Sequence, residues 1–125
     1  MTQGQRTILL VEDDDSLRHL VQLSLEHLGY HVIAAADGHQ ALILFGVHEH
    51  EIDLILSDME MPITSGGELY RAVRALNERV KFVLASACAL DELRKRDDPA
   101  PEVPFIQKPW TVTQLAGVLR ETLAA

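Results

Sequence analysis

The chain has 125 residues, of which 47% are hydrophobic and 24% charged, so we expect one globular domain, residues 1–125, with a real core. Its net charge of −8 argues against general binding to nucleic acid or to an anionic membrane surface. No apolar run approaches the ~18 residues of a spanning helix, and a single cysteine, Cys88, fits a reducing compartment, so we expect a cytoplasmic protein without membrane insertion.

Short apolar segments alternate along the chain with segments of helical spacing. In chain order, strands are predicted at residues 7–11, 31–36, 53–57, 81–87 and 103–107, and at least three are apolar almost throughout, as doubly buried parallel strands are. Helices are predicted between and after them, at residues 16–28, 39–47, 65–76, 90–96 and 113–123. This alternation predicts an α/β fold of (βα)5 type: a doubly wound parallel sheet with right-handed crossovers and helices on both faces.

The fourth helix is predicted to be short or irregular. Its segment begins with helix formers, but Pro99, Pro101 and Pro104 cannot continue a helix because proline has no backbone N–H. We therefore expect an irregular descent to the fifth strand, with residues 97–104 poorly ordered relative to the sheet.

Polar or ionisable residues follow four of the five predicted strands. Glu12 and Asp13 follow the first strand, Asp58 the third, Ser86 the fourth and Lys108 the fifth. Ligands of open parallel α/β sheets bind beyond the carboxyl ends of the strands. Because adjacent strands lie ~4.8 Å apart, these groups converge if the first, third, fourth and fifth strands adjoin in that order.

Such a constellation suits phosphoryl chemistry supported by a hard cation. Three carboxylates in one crevice are costly unless a positive charge joins them, and Mg²⁺ prefers oxygen ligands of this kind. A lysine ammonium and a serine hydroxyl can bind a phosphoryl group. An aspartate beside the metal can act as the nucleophile and form an acyl phosphate.

Four segments together resemble the receiver domain of two-component response regulators: VEDD, SDMEMPITSGGEL, LASA and FIQKPW. The resemblance spans essentially the whole chain, and the joint spacing of its parts is specific. It implies the flavodoxin-like strand order 2-1-3-4-5 and Mg²⁺ (or Mn²⁺) as cofactor. It also implies a histidine kinase or histidine phosphotransfer protein as the phosphodonor.

The resemblance assigns roles to individual residues. Asp58 matches the phosphoacceptor, and Lys108 and Ser86 match the residues that bond the phosphoryl group. Ser86 and Phe105 match the pair that switches conformation, and the resemblance implies a downstream protein on the face of the fourth helix, fifth strand and fifth helix. The implied metal site comprises Asp13, Asp58, the backbone carbonyl of Glu60 and, through water, Glu12.

Three departures from the family pattern stand out. Trp110 replaces the usual Phe after Lys-Pro, and Thr64 and Ser65 replace the common Met-Asp pair before Gly66. The segment DDPAPEVP replaces an Ala-Gly-Ala-like turn. This last change bears on the fourth helix and therefore on the implied signalling face.

Other polar residues have simpler interpretations. Asp14 and Asp15 suit the turn and N-cap of the first helix, where negative charge is favourable. The HEHE segment, residues 48–51, is interpreted as a solvated loop, because histidines two residues apart do not share a helix face. Cys88 is interpreted as a packing residue, since no positioned base is indicated beside it.

The sequence therefore predicts a phosphorylation-controlled switch that catalyses only its own phosphorylation and dephosphorylation, with no output domain and no direct contact with nucleic acid. One alternative is a Mg²⁺-dependent phosphohydrolase with Asp58 as nucleophile. Such an enzyme needs a substrate cap and a general acid, and Glu60 is the nearby candidate for the acid. Another is a constitutive scaffold that is not phosphorylated. A stand-alone receiver and a receiver excised from a longer protein both remain open, although PFIQKPW resembles receivers of hybrid histidine kinases.

Overall fold

The computed structural model describes residues 5–95 and 103–125. Five strands alternate with five helices along these residues. They are β1 (Thr7–Val11), α1 (Asp15–His27), β2 (His31–Ala35), α2 (Gly38–His48), β3 (Ile52–Asp58), α3 (Gly66–Leu76), β4 (Lys81–Ser86), α4 (Leu90–Lys95), β5 (Phe105–Gln107) and α5 (Val112–Ala124).

The strands form one parallel sheet in the order β2-β1-β3-β4-β5, which confirms the predicted fold and strand order. The register aligns their carboxyl ends. Val11 of β1 lies beside Ser57 of β3, and Asp58 lies beside Ala85 of β4. Ser86, the last residue of β4, lies beside Gln107 of β5. The residues that follow β1, β3, β4 and β5 therefore emerge at the same edge of the sheet.

The predicted boundaries agree with the structure to within one residue, apart from the start of β5. This strand begins at Phe105 rather than at residue 103. Pro104 accepts a hydrogen bond from Leu84 N (2.9 Å) but has no N–H to return to the sheet. The fourth helix is short, as predicted; its expected end at Arg96 and the expectation for residues 97–102 lie outside the described residues. Val103 is buried.

The core consists of two apolar clusters, one on each face of the sheet. The cluster under α2, α3 and α4 includes Phe45, Leu69 and Leu93, and the cluster under α1 and α5 includes Leu25 and Leu115. Each such side chain is almost fully buried, which contributes ~1.5–3 kcal/mol relative to exposure. Residues of the fully buried strand β1 alternate between the clusters: Leu9 and Val11 in the first, Ile8 and Leu10 in the second.

Side-chain caps fix where the helices begin. Asp14 is the N-cap of α1, as predicted, and its carboxylate accepts a hydrogen bond from Leu17 N (2.8 Å). Both α3 and α5 begin with capping boxes, in which the N-cap side chain and the N3 side chain bond each other's backbone N–H. Beyond the end of α1, Gly29 has a φ of 98°, a conformation that favours glycine. No helix in residues 5–95 and 103–125 is long and apolar enough to cross a membrane.

Candidate functional site

The predicted site residues lie together at the carboxyl ends of four strands, at one edge of the sheet. Asp58 ends β3 and Ser86 ends β4, while Glu12 and Lys108 directly follow β1 and β5. Glu12, Asp58 and Ser86 are 5%, 7% and 0% exposed, respectively, so these polar groups are withdrawn from bulk water. Backbone hydrogen bonds continue the strand pairing just past the strand ends, from Lys108 N to Ser86 O (2.8 Å) and from Met59 N to Ala85 O (2.7 Å).

Lys108 joins the two buried carboxylates. Its Nζ donates to Asp58 Oδ1 at 3.0 Å and to Glu12 Oε1 at 3.1 Å. The lysine side chain is 20% exposed, whereas those of Asp58 and Glu12 are 8% and 6% exposed. Such shielded, charge-assisted hydrogen bonds are stronger than those of a surface pair. The lysine therefore places a positive charge directly at the Asp58 carboxylate.

Glu12, Asp13 and Asp58 form the carboxylate cluster that a metal ion could occupy. One carboxylate oxygen from each lies within 4.8 Å of the other two, and Asp13 is the exposed member. Three carboxylates and one lysine ammonium leave a net charge of −2, which a divalent cation would balance. Hard oxygen donors at this spacing fit Mg²⁺. No other cluster of three or more His, Cys, Asp or Glu ligands occurs among the described residues.

The electrostatics of the pocket disfavour a bare carboxylate at Asp58. Burial raises its pKa from 3.8 to about 6; the hydrogen bond and charge of Lys108 oppose this rise, and the charges of Glu12 and Glu60 add to it. Burial by itself lowers the pKa of Lys108, but its hydrogen bonds and ion pairs with Asp58 and Glu12 outweigh burial and raise it. Ionised Asp58 thus gains from any additional positive charge placed in the pocket.

The structure shows a contact that the sequence did not predict. The hydroxyl of Ser86 donates to the side-chain carboxylate of Glu60, whose oxygens lie 2.8 and 2.7 Å from Ser86 Oγ. Ser86 Oγ in turn accepts from the backbone N–H of Cys88 at 3.0 Å. The sequence assigned Glu60 a role through its backbone carbonyl, and no pattern in the sequence indicates where its side chain points.

Arg18 is a second residue that the sequence analysis missed. Its Nη1 donates to the backbone carbonyl of Glu12 at 3.0 Å, and its Nη2 donates to Asp15 at 2.6 Å. Asp14 N also donates to Glu12 Oε2 (3.1 Å), so the acidic turn is braced from two sides. The i, i+3 spacing of Asp15 and Arg18 was a usable signal for the second bond, whereas the bond to the Glu12 carbonyl depends on the turn.

The two ends of the loop after Asp58, at Met59 and Gly66, lie in close contact. Gly66 N donates to Met59 O at 2.9 Å. A Cβ atom on Gly66 would lie 2.4 Å from the carbonyl oxygen of Asp58 and 2.9 Å from Met59 Cα, so only glycine fits. At the tip of this loop Ile63 is fully exposed and has a φ of 71°, which is unfavourable for a β-branched residue.

The remaining candidates are Phe105 and the HEHE segment, whose predicted loop is wrong at His48, the last residue of α2. Phe105 is half-buried and packs with Cys88 against the cluster under α2, α3 and α4. His48, at the end of α2, contacts Glu51 through Nδ1 (3.3 Å), next to the start of β3 and so at the opposite edge of the sheet. The HEHE segment is therefore not part of the candidate site.

Comparison with known proteins gives a consistent result over the whole fold. The family model for the response regulator receiver domain matches residues 8–120. The chain is 34% identical over 120 residues to the sensor kinase CckA of Brucella abortus, covering 96% of this chain but only 13% of that protein. It is 28% identical to the response regulator receiver protein CpdR of the same organism, covering 96% of this chain and 98% of CpdR.

A solved structure extends the comparison to the pocket. The receiver domain of a sensor histidine kinase from Pseudomonas aeruginosa, which has a magnesium ion coordinated in its active-site cleft, superposes with a TM-score of 0.82. The two share 28% sequence identity, and the alignment covers 98% of this chain and all of that one. On the extent of the family match and the shared fold, the chain belongs to the response regulator receiver domain family.

Proposed function

We propose that the chain is a phosphorylation-controlled signalling switch whose phosphoacceptor is Asp58. The observation that carries the proposal is the pair of hydrogen bonds from Lys108 to Asp58 and Glu12 within a cluster of three carboxylates. A carboxylate placed beside a lysine and a prospective metal site combines a nucleophile with the charges that a phosphoryl group requires.

In the proposed step, a carboxylate oxygen of Asp58 attacks phosphorus. The P–N bond of a donor phosphohistidine breaks, and its electron pair leaves on the imidazole nitrogen, which takes up a proton from solvent. Lys108, already 3.0 Å from Asp58 Oδ1, would pair with the phosphoryl oxygens. Hydrolysis of the acyl phosphate by water would return Asp58 to its carboxylate, so that the domain acts on itself and not on an external substrate.

A divalent ion, Mg²⁺ or Mn²⁺, would be held by Asp13 and Asp58, by the backbone carbonyl of Glu60 and, through water, by Glu12. The proximity of the three carboxylates supports this assignment, as does the magnesium ion in the cleft of the Pseudomonas aeruginosa domain. When bound, the ion would neutralise charge on the transferring phosphoryl group. Lys108, which donates to Asp58 Oδ1, would contribute a second positive charge.

The proposed output surface comprises α4, β5 and α5, which follow Ser86 in the chain. Ser86 would donate to the phosphoryl group, and the half-buried ring of Phe105 would turn further inward as the loop after β4 moves. Because α4 has six described residues, we expect fewer contacts to be broken than in a longer helix. A downstream protein would recognise the rearranged face.

The partners supplying phosphate are proposed to be a histidine kinase or a histidine phosphotransfer protein. We also propose that residues 1–125 form a single receiver domain. Its relatives include both long and short proteins: the chain spans 13% of CckA and 98% of CpdR. Both a hybrid kinase and a small receiver protein are therefore reasonable settings for the same switch.

The experiment is incubation with acetyl phosphate and Mg²⁺ followed by intact-mass measurement. The wild-type protein should gain one phosphoryl group, and Asp58→Asn should gain none. Asp53→Asn is the matched control, because Asp53 lies in the same strand near the opposite edge of the sheet, where it accepts from Thr7 N (2.8 Å). It should be phosphorylated like the wild type.

Three results would contradict this proposal. Phosphorylation of Asp58→Asn to the wild-type level would show that Asp58 is not the phosphoacceptor. Release of many equivalents of phosphate from simple phosphate esters would favour the phosphohydrolase instead. A protein that gains no phosphoryl group at any metal concentration would fit the constitutive scaffold.

A further inference from the structure

We propose that the carboxylate of Glu60 is an internal competitor for the hydroxyl of Ser86, and that phosphorylation must break this contact before the switch can operate. The Glu60–Ser86 contact is called the latch below. The proposal rests on the function proposed above, because it needs a phosphoryl group on Asp58. It adds a residue that sets how readily the domain switches.

Ser86 can donate a hydrogen bond to one anion at a time. Its side chain is completely buried, and a serine hydroxyl carries only one proton. That proton is directed at Glu60, whose two carboxylate oxygens lie 2.7 and 2.8 Å from Ser86 Oγ. The N–H of Cys88 occupies a lone pair of the same oxygen at 3.0 Å. Ser86 therefore has no second proton to offer to another anion.

The latch lies beside Asp58 in the fold. Glu60 lies two residues after Asp58, and Asp58 lies beside Ala85, the residue before Ser86, in the β3–β4 pairing. The latch thus joins the loop after β3 to the end of β4, directly beside the proposed phosphoacceptor. A phosphoryl group on Asp58 would bring ~1.5–2 negative charges and new acceptor oxygens to this position. It would compete with Glu60 for the proton of Ser86 and repel the Glu60 carboxylate.

The latch restrains the unphosphorylated protein. A hydrogen bond from a buried hydroxyl to a carboxylate is stronger than a neutral one. The latch therefore holds the loop after β4 in place until phosphorylation offers Ser86 a better acceptor. Part of the free energy of phosphoryl binding is used to open the latch, so removing Glu60 should make switching easier.

The experiment is a double-mutant cycle with Glu60→Ala and Ser86→Ala, read by binding of beryllofluoride with Mg²⁺. Loss of the Glu60 charge strengthens anion binding in any background, so the single variant alone does not identify the latch. The latch predicts a further gain that depends on Ser86. Glu60→Ala should raise the affinity for beryllofluoride about 3- to 10-fold more in the presence of Ser86 than in the Ser86→Ala background.

A second measurement tests the latch without metal or beryllofluoride. In the presence of a chelator, Glu60→Ala leaves the buried hydroxyl of Ser86 without its acceptor. It should therefore lower the melting temperature by about 2–5 °C more when Ser86 is present than in the Ser86→Ala background. Glu60→Gln, which keeps an acceptor oxygen without the charge, should give an intermediate coupling in both measurements.

Glu78→Ala is the control, because Glu78 is an exposed glutamate in the turn before β4, at the other edge of the sheet. It should leave the beryllofluoride affinity unchanged. Wild-type binding with zero coupling between Glu60 and Ser86 overturns the latch and leaves the proposed function standing. Failure of the wild-type protein to bind beryllofluoride at all overturns the proposed function. It also overturns the proposed competition between Glu60 and the phosphoryl group for the proton of Ser86. Zero coupling in the melting temperatures shows that the contact is absent from the folded protein.

Discussion

Replacing Asp58 by asparagine is expected to stabilise the metal-free protein, although it should abolish the proposed phosphorylation. Asp58 is buried near Glu12 and Glu60, and within residues 5–95 and 103–125 it is Lys108 that bonds Asp58 and offsets these charges. Burial therefore raises the pKa of Asp58 to about 6. An asparagine fits the same space and can still accept from Lys108, but it carries no charge that has to be removed from water.

The size and sign of the effect follow from the two protonation equilibria. A pKa of 3.8 in the unfolded chain and about 6 in the folded protein corresponds, at ~1.4 kcal/mol per unit, to an upper limit of about 3 kcal/mol. Water reaching the pocket reduces this to roughly 1–2 kcal/mol. The folded state binds more protons between these two values, so the free energy of unfolding of the wild type falls as the pH rises from about 4 to about 7.

Urea unfolding in the presence of a chelator measures this directly. At pH 7.5, Asp58→Asn should be more stable than the wild type by roughly 1–2 kcal/mol, and at pH 4.5 most of this difference should disappear. Asp53→Asn should show no gain, because Asp53 accepts a hydrogen bond from Thr7 N (2.8 Å). Equal unfolding free energies for wild type and Asp58→Asn at both pH values would refute the claim that burial penalises the Asp58 charge.

Three further changes test other parts of the structure. Asp13→Asn should weaken Mg²⁺ binding at least about 10-fold, whereas Asp15→Asn should have little effect because Asp15 bonds Arg18 in α1; equal losses in a metal titration would contradict this. Ile63→Asn should raise the free energy of unfolding by about 1 kcal/mol, because asparagine tolerates a φ of 71° better than a β-branched residue and the exposed isoleucine loses no packing; an unchanged or lower denaturant midpoint would show that the strain is not felt. Ser86→Ala should still accept phosphate but transmit the change poorly, so amide shifts of residues 103–110 on adding beryllofluoride should be smaller than in the wild type, and equal shifts would exclude Ser86 as the coupling residue.

The sequence predicted those parts of the fold that depend on local pattern. The apolar run of β1 indicated burial on both faces, and Asp14 indicated the start of α1, because both signals lie within a few residues. The start of β5 was predicted at residue 103, whereas the strand begins at Phe105. An apolar pattern does not show which residues lack a hydrogen-bond partner in the sheet. The family resemblance, not the pattern alone, supplied the strand order.

The site was predictable as a set of residues but not as a set of contacts. Strand-end positions and the resemblance brought Asp58, Lys108 and Glu12 together, and the structure places them within hydrogen-bond distance. The bond between Ser86 and Glu60 joins the end of β4 to the loop after β3, between residues 26 positions apart in sequence. Its existence depends on a rotamer selected by the folded pocket, and no spacing rule encodes it.

The tight closure between Gly66 and Met59 has a consequence for how this region tolerates change. The backbone at both ends of the loop is held together at 2.9 Å, and there is no room for even a methyl group at Gly66. Pro62 and Ile63, by contrast, lie in open solvent at the tip. A saturation library across this loop should therefore retain almost any amino acid, and even short inserted peptides, at the tip, but only glycine at its closing position. An epitope or fluorophore could be carried there a few residues from the pocket without displacing Asp58.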